Sequence, residues 1–208
     1  MDRRSFFYKM FSDRTEEKIF IGFQLIVLDN AIDDLRKIIH QFIEEKDNIE
    51  KPSDKKRFFQ KISHLFNEII FAAEYGYWDF KAHNKEAEEV FNTWIAEIEE
   101  SSLNNFQVSD DENDISRISA DKRYVSISIV MLFENTEEHN KISEKIEQIE
   151  EDKYFDKSTY IELLSYILQF NFEYLLGDAI FLVPGNDLDG LSWEDIHGEG
   201  WEYIKPIF

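Results

Sequence analysis

The sequence predicts an α+β fold, a small sheet of about three strands with helices layered on one side of it. Three observations carry that prediction. Of 208 residues, 43% are hydrophobic and 15% aromatic, with 19 Phe, so there is ample material for a packed core. Two apolar runs, residues 19–28 and 124–133, are rich in the β-branched and aromatic side chains that suit a half-buried pleated surface. Between and after them, apolar residues recur at the spacing of one helix face. Only seven Gly and three Pro interrupt the chain, which favours long regular elements.

In chain order the elements read β-α-α-α-β-α-α-β. Residues 1–17 form an amphipathic N-terminal arm, in which Lys9 and Asp13 break up Phe6, Phe7 and Phe11; it lacks the apolar core and cleavage site of a signal peptide. Residues 18–208 form a single domain. In IFIGFQLIVL, Ile19, Ile21, Phe23, Leu25 and Val27 share a face, as in a mostly buried strand. Asp29 and Asn30 are of the type that caps a helix, and Ile32, Leu35, Ile38, Ile39, Phe42 and Ile43 follow at helical spacing. Pro52 and Ser53 open a second helix, whose stripe runs from Phe58 through Phe59, Ile62, Leu65, Phe66, Ile69 and Ile70 to Ala73. Tyr75-Gly76-Tyr77-Trp78-Asp79-Phe80 closes that helix. A third carries Ala87, Val90, Phe91, Trp94, Ile95 and Ile98, and residues 109–121 read as an acidic linker.

In YVSISIVMLF, Val125, Ile127, Ile129, Met131 and Phe133 alternate with a second set, the period of a strand with one drier face. Two helical stretches follow, marked by Ile142, Ile146 and Ile149 and then by Tyr160, Leu163, Leu164, Ile167 and Leu168. A strand near residues 179–183 ends at Pro184. Residues 184–208 form an acidic, irregular, Trp-bearing tail.

Charge narrows the partners. There are 44 acidic against 23 basic residues, a formal net charge of -21. Such a field repels nucleic-acid backbones and anionic membrane surfaces, and it speeds association with basic partners. With no Cys there is no disulfide, thiolate nucleophile or Cys-based zinc site, as fits a reducing compartment. No run of apolar residues is long enough to span a membrane, so the sequence-level expectation is a cytoplasmic protein.

The familiar catalytic patterns do not occur. His40, His64, His83, His139 and His197 form no metal-binding spacing, no GxSxG surrounds a serine, and no Gly-rich turn follows a strand. No catalytic residue, metal or cofactor is expected. Two constellations could bind. Tyr75, Tyr77, Trp78 and Phe80 put four aromatics in six residues, enough to line a pocket or anchor an interface, or to cover one end of the core. Asn186-Asp187-Leu188-Asp189-Gly190 faintly suggests a calcium loop, and Ser192-Trp193-Glu194-Asp195 follows it as a helix cap. Its pattern fails at Gly185 and Ile196, and a turn with a helix cap explains it better.

The same residues resemble a family, the domain of unknown function 1517 proteins of cyanobacterial and plastid type, over most of residues 19–206. Residues 19–27 resemble its opening strand, and residues 53–78 its central helix ending in a Tyr-Trp pair, here Tyr77-Trp78. Glu88 to Trp94, with Phe91 and Asn92, is similar to the next helix, and residues 123–133 to its long apolar strand. Pro184, Asp189, Leu191, Ser192, Asp195 and Ile196 resemble its tail, and Pro206 its closing proline. Glu74-Tyr75-Gly76 stands where the family tends to have His-Pro-Glu. The resemblance implies an α+β fold and no particular reaction.

Charge and the absence of those motifs point to a non-catalytic, acidic interaction module that binds a protein partner, a basic one by charge. One alternative is an inhibitor or immunity-type protein whose carboxylates mimic nucleic-acid charge. Another is a small-ligand binder or enzyme with a pocket near the Tyr-Trp pair and the tail. Self-association stays open.

Overall fold

Five antiparallel strands pair in the order β4-β3-β1-β2-β5 in a computed structural model, which describes residues 17–84, 86–104, 123–185, 189–198 and 200–208. The chain follows β1 (Lys18–Leu28), α1 (Leu35–Lys46), α2 (Pro52–Ala72), β2 (Ala73–Asn84), α3 (Glu86–Asn104), β3 (Tyr124–Glu134), α4 (Glu137–Glu147), α5 (Lys157–Ile167), β4 (Leu175–Val183), α6 (Trp193–Ile196) and β5 (Lys205–Pro206). The α+β class holds, and the sheet is larger than the three strands expected. The arm at residues 1–16 and the linker at 109–121 lie outside the described residues.

Two strands escape the sequence reading. The helical stripe reaches Ala73 by sequence, yet Ala73 is already extended (φ -70°, ψ 138°), and α2 passes into β2 with no Gly or Pro between them. Tyr77 and Trp78 therefore belong to a strand and not to the end of a helix. β5 is two residues long, too short to leave a pattern. It pairs Pro206 with Tyr75 and Lys205 with Gly76 at the sheet edge, where a proline is tolerated.

The layering also differs. β1 and β3 are buried along almost their whole length, because both of their faces are covered. The first face carries Ile19, Ile21, Phe23, Leu25 and Val27 with Val125, Ile127, Ile129, Met131 and Phe133, packed under α1, α2, α4 and α5. The second face is shared. Toward one end, α3 lays Phe91 and Trp94 over Phe20, Val130 and Leu132. Gly22 and Gly177 make room there, since a Cβ would sit 2.7 Å from the Phe20 ring at the first and 2.8 Å from the Phe91 ring at the second. Toward the other end, Leu191, Ile196 and Ile204 pack on Ile26 and Tyr124. Helices therefore cover both faces of the sheet and not one side only.

Polar groups fix the helices to the sheet. Asp178 of β4, its side chain almost wholly buried, pairs with Lys55 of α2 and lies 3.4 Å from Lys46 of α1. Asp29 does not cap α1: the N-cap is Asp34, in the left-handed region at φ 55° with no side-chain cap bond. Asp29 instead receives Arg36 Nε, at 2.8 and 2.9 Å.

Candidate functional site

The tail is a strap over the second face. Leu191 exchanges two backbone bonds with Tyr124 at the start of β3 (2.7 and 2.9 Å), and the chain then crosses β1 and β2 to add β5 outside β2. Buried Arg36 holds its entry, donating to the Pro184 carbonyl at 3.0 Å and to the Asp189 carbonyl. Asp189 Oδ1 accepts the N–H of Gly190 at 2.9 Å, so this carboxylate shapes the turn. Asp187 lies outside the described residues.

Ser192 and Asp195 form a reciprocal capping box on α6. Ser192 Oγ accepts the Asp195 N–H at 3.1 Å, and Asp195 Oδ2 accepts the Ser192 N–H at 2.7 Å. That box supports a side chain the sequence reading passed over. Trp193 is 53% exposed and stacks on the imidazole of His197, with ring centres 4.0 Å apart and planes at 19°. His197 Nδ1 lies 2.8 Å from the Trp193 carbonyl, which closes the pair. The edge of His197 meets Tyr75 at 5.2 Å, and Tyr75 meets Tyr124 at 6.4 Å.

The period of two in β2 divides the four predicted aromatics. Tyr75 and Tyr77 point to the strap, whereas Trp78 and Phe80 pack into the helical core on the opposite face. Trp78 Nε1 donates to the Tyr154 carbonyl at 2.9 Å, as a core tryptophan should. Tyr77 lies against Trp94 of α3 (5.7 Å, planes at 19°) and against Tyr203 (4.8 Å). An aromatic belt thus lies on this face in two groups, Trp193–His197–Tyr75–Tyr124 and Trp94–Tyr77–Tyr203. Its polar rim holds exposed Glu74, Glu194, Asp195 and Glu202. The clue to Trp193 was its place inside a Ser-x-x-Asp cap, which turns the first helical side chain outward.

The phenols in this belt are poor acids. Burial and then the Glu74 carboxylate, which accepts the Tyr124 hydroxyl at 2.9 Å, push Tyr124 up to about 12. Burial and then Glu97 push Tyr203 up to about 12, and Tyr203 donates to Gln24 Oε1 at 3.0 Å. Burial, helped by Asp79, also raises Tyr77. At neutral pH these groups stack and hydrogen-bond as neutral phenols, and they do not serve as phenolate bases.

A shallow hollow of about 470 Å³ lies on the outer side of α3, lined by Glu88, Glu89, Asn92, Thr93 and Ala96. Between sheet and helices there is an apolar void of about 10 Å³ lined by Phe23, Phe59 and Ile129 among others, room for about one water. Neither is lined by Tyr75, Tyr77, Trp78, Phe80, Asp189 or Ser192. Among the described residues no three His, Asp or Glu side chains gather as metal ligands, and no helix is long and apolar enough to cross a membrane.

Comparison with known proteins returns no match to a family model, a curated protein or a solved structure.

Proposed function

We propose that the chain is a non-catalytic protein-interaction module whose C-terminal strap receives a basic segment of a partner protein. The observation that carries this reading is Trp193, a half-exposed indole braced from behind by His197 and followed directly by two exposed acidic residues, Glu194 and Asp195. An aromatic face is attractive to a cation, by about 0.5–1 kcal/mol at an exposed site and about 2 kcal/mol when water is excluded. Carboxylates beside it add the long-range field that guides a basic partner in. Bracing matters because an anchor already held in place loses little freedom on binding. The acidic rim and the net charge of -21 support the same choice of partner.

The test is titration of a fluorescein-labelled arginine-rich peptide against the full chain at low and high salt. Binding should weaken steeply with salt, and Trp193→Ala should weaken it by roughly 3–10-fold at each ionic strength. Failure to bind at low salt would sink the reading. Undiminished binding by Trp193→Ala would leave a general charge attraction and remove the strap from it.

A further inference from the structure

His139, near the start of α4, is fully buried, and both of its ring nitrogens are committed to backbone. Nδ1 lies 2.7 Å from the carbonyl oxygen of Glu134 at the end of β3. Nε2 accepts the N–H of Asn171 at 2.9 Å. A carbonyl can only accept and an amide N–H can only donate, so the two bonds together require the neutral ring with its proton on Nδ1. A second proton, on Nε2, would point straight at the Asn171 N–H.

Aromatic rings pack around the imidazole. Phe170 lies 4.9 Å from the imidazole, and Phe133 and Tyr174 lie 5.7 Å away. The charged groups nearby are Glu134 of β3 and Glu138 of α4, both favouring the imidazolium, with Glu173 in the turn beyond Asn171. Burial outweighs the pull of Glu134 and Glu138 and holds the ring below the usual histidine range.

The bond to Asn171 carries more than itself. Asn171 Oδ1 accepts the N–H of Glu173 at 3.1 Å and so starts the short helical turn Phe172–Tyr174 that feeds β4. Phe170 and Phe172 on either side are buried against Phe133. His139 thus pins residues 170–174 to the corner between β3 and α4, at the edge of the sheet rather than its centre.

We propose that His139 is an acid-released latch: proton uptake at Nε2 frees the turn at residues 170–174 while the central strands β1 and β3 stay paired. Release would bare Phe170 and Phe172, converting a closed edge into an apolar one. Local opening of this kind draws on the less stable parts of a fold, whereas the central ladder opens only with the whole.

Amide hydrogen exchange on the intact chain between pH 7.5 and 5.0, corrected for intrinsic rates, tests the latch. An opened histidine with its ordinary pKa of about 6.5 favours opening by up to roughly 30-fold at pH 5.0, the full factor applying where the folded ring is still neutral at that pH. Asn171 protection should fall by about that factor, from a level at least roughly tenfold below that of Leu25 and Ile129. The fall should vanish in His139→Asn, which keeps a donor for Glu134 and cannot titrate. Exchange of Asn171 at the same rate as Leu25 and Ile129 throughout, or an unchanged fall in His139→Asn, would overturn the proposal. The ring's own NMR titration needs no variant: a midpoint at or above about 6.5 in the folded protein would overturn it equally.

Discussion

At the scale of one residue, the aromatic segment is most constrained at Gly76. Gly76 points to the helical face, where a Cβ would lie 2.7 Å from the hydroxyl of Tyr160 and 3.0 Å from the ring carbon bearing it. Tyr160 is buried, its hydroxyl has no hydrogen-bond partner among the described residues, and burial pushes the phenol well above its ordinary value. A buried, unpaired hydroxyl costs about 1–3 kcal/mol. Tyr160→Phe is therefore expected to leave stability unchanged or raise it by up to about 1 kcal/mol. Gly76→Ala should cost about 2 kcal/mol in the natural background and about half that beside Tyr160→Phe, since the ring carbon still crowds the new methyl. Urea midpoints at constant slope give all four corners of this cycle. An equal cost for Gly76→Ala in both backgrounds would show that the hydroxyl is not what excludes the side chain. The segment was legible as aromatic and special, but not as a strand, because its glycine reads as a helix stop until Tyr160 is seen beneath it.

Elements with a strong period were legible, and those defined by their partners were not. The stripes of α2 and α3 and the alternation of β3 each state their own structure, because burial on one face repeats along a single segment. β2 begins without punctuation, β5 exists only as a partner to Tyr75 and Gly76, and the strap is ordered by groups distant in sequence. The same limit applies to the site. Ser192 and Asp195 were readable as a cap, whereas the stack of Trp193 on His197 and its contact with Tyr75 depend on where the strap is laid down. Arg36 is the main fixing point, since it joins the end of β1, the first turn of α1 and the entry to the strap through Asp29 and two carbonyls. Arg36→Ala removes a buried cation and leaves those acceptors without it, for an expected loss of about 3 kcal/mol. Arg36→Lys should recover less than half, because one ammonium cannot reach three directions at once. Denaturant unfolding measures both, and full recovery by lysine would show that charge alone suffices.

At the scale of the molecule, 44 acidic side chains face 23 basic ones. Several of those cations are already committed: Lys46 and Lys55 to Asp178, Arg36 to Asp29, Lys18 to Glu88 and Lys61 to Glu45. The excess carboxylates therefore repel one another across the folded surface, and folding brings them closer than they lie in the extended chain. Salt shortens the range of that repulsion from about 30 Å at 0.01 M to about 8 Å at 0.15 M. It also weakens the exposed pairs, such as Lys61–Glu45, but those are worth little to begin with. Buried Asp178 is shielded from the solvent ions that would screen it. Repulsion should win, so raising sodium chloride from 10 to 300 mM is expected to stabilise the fold by about 1 kcal/mol, or roughly 2–4 °C in Tm. The sign is opposite to that for binding: the same salt that firms the fold should loosen a basic peptide from the strap. Measuring both on one preparation separates the two roles of the charge. A Tm that falls with salt would mean that attractive pairs outweigh the excess, and the acidity would then have to be explained through native contacts rather than through solvation and partner attraction.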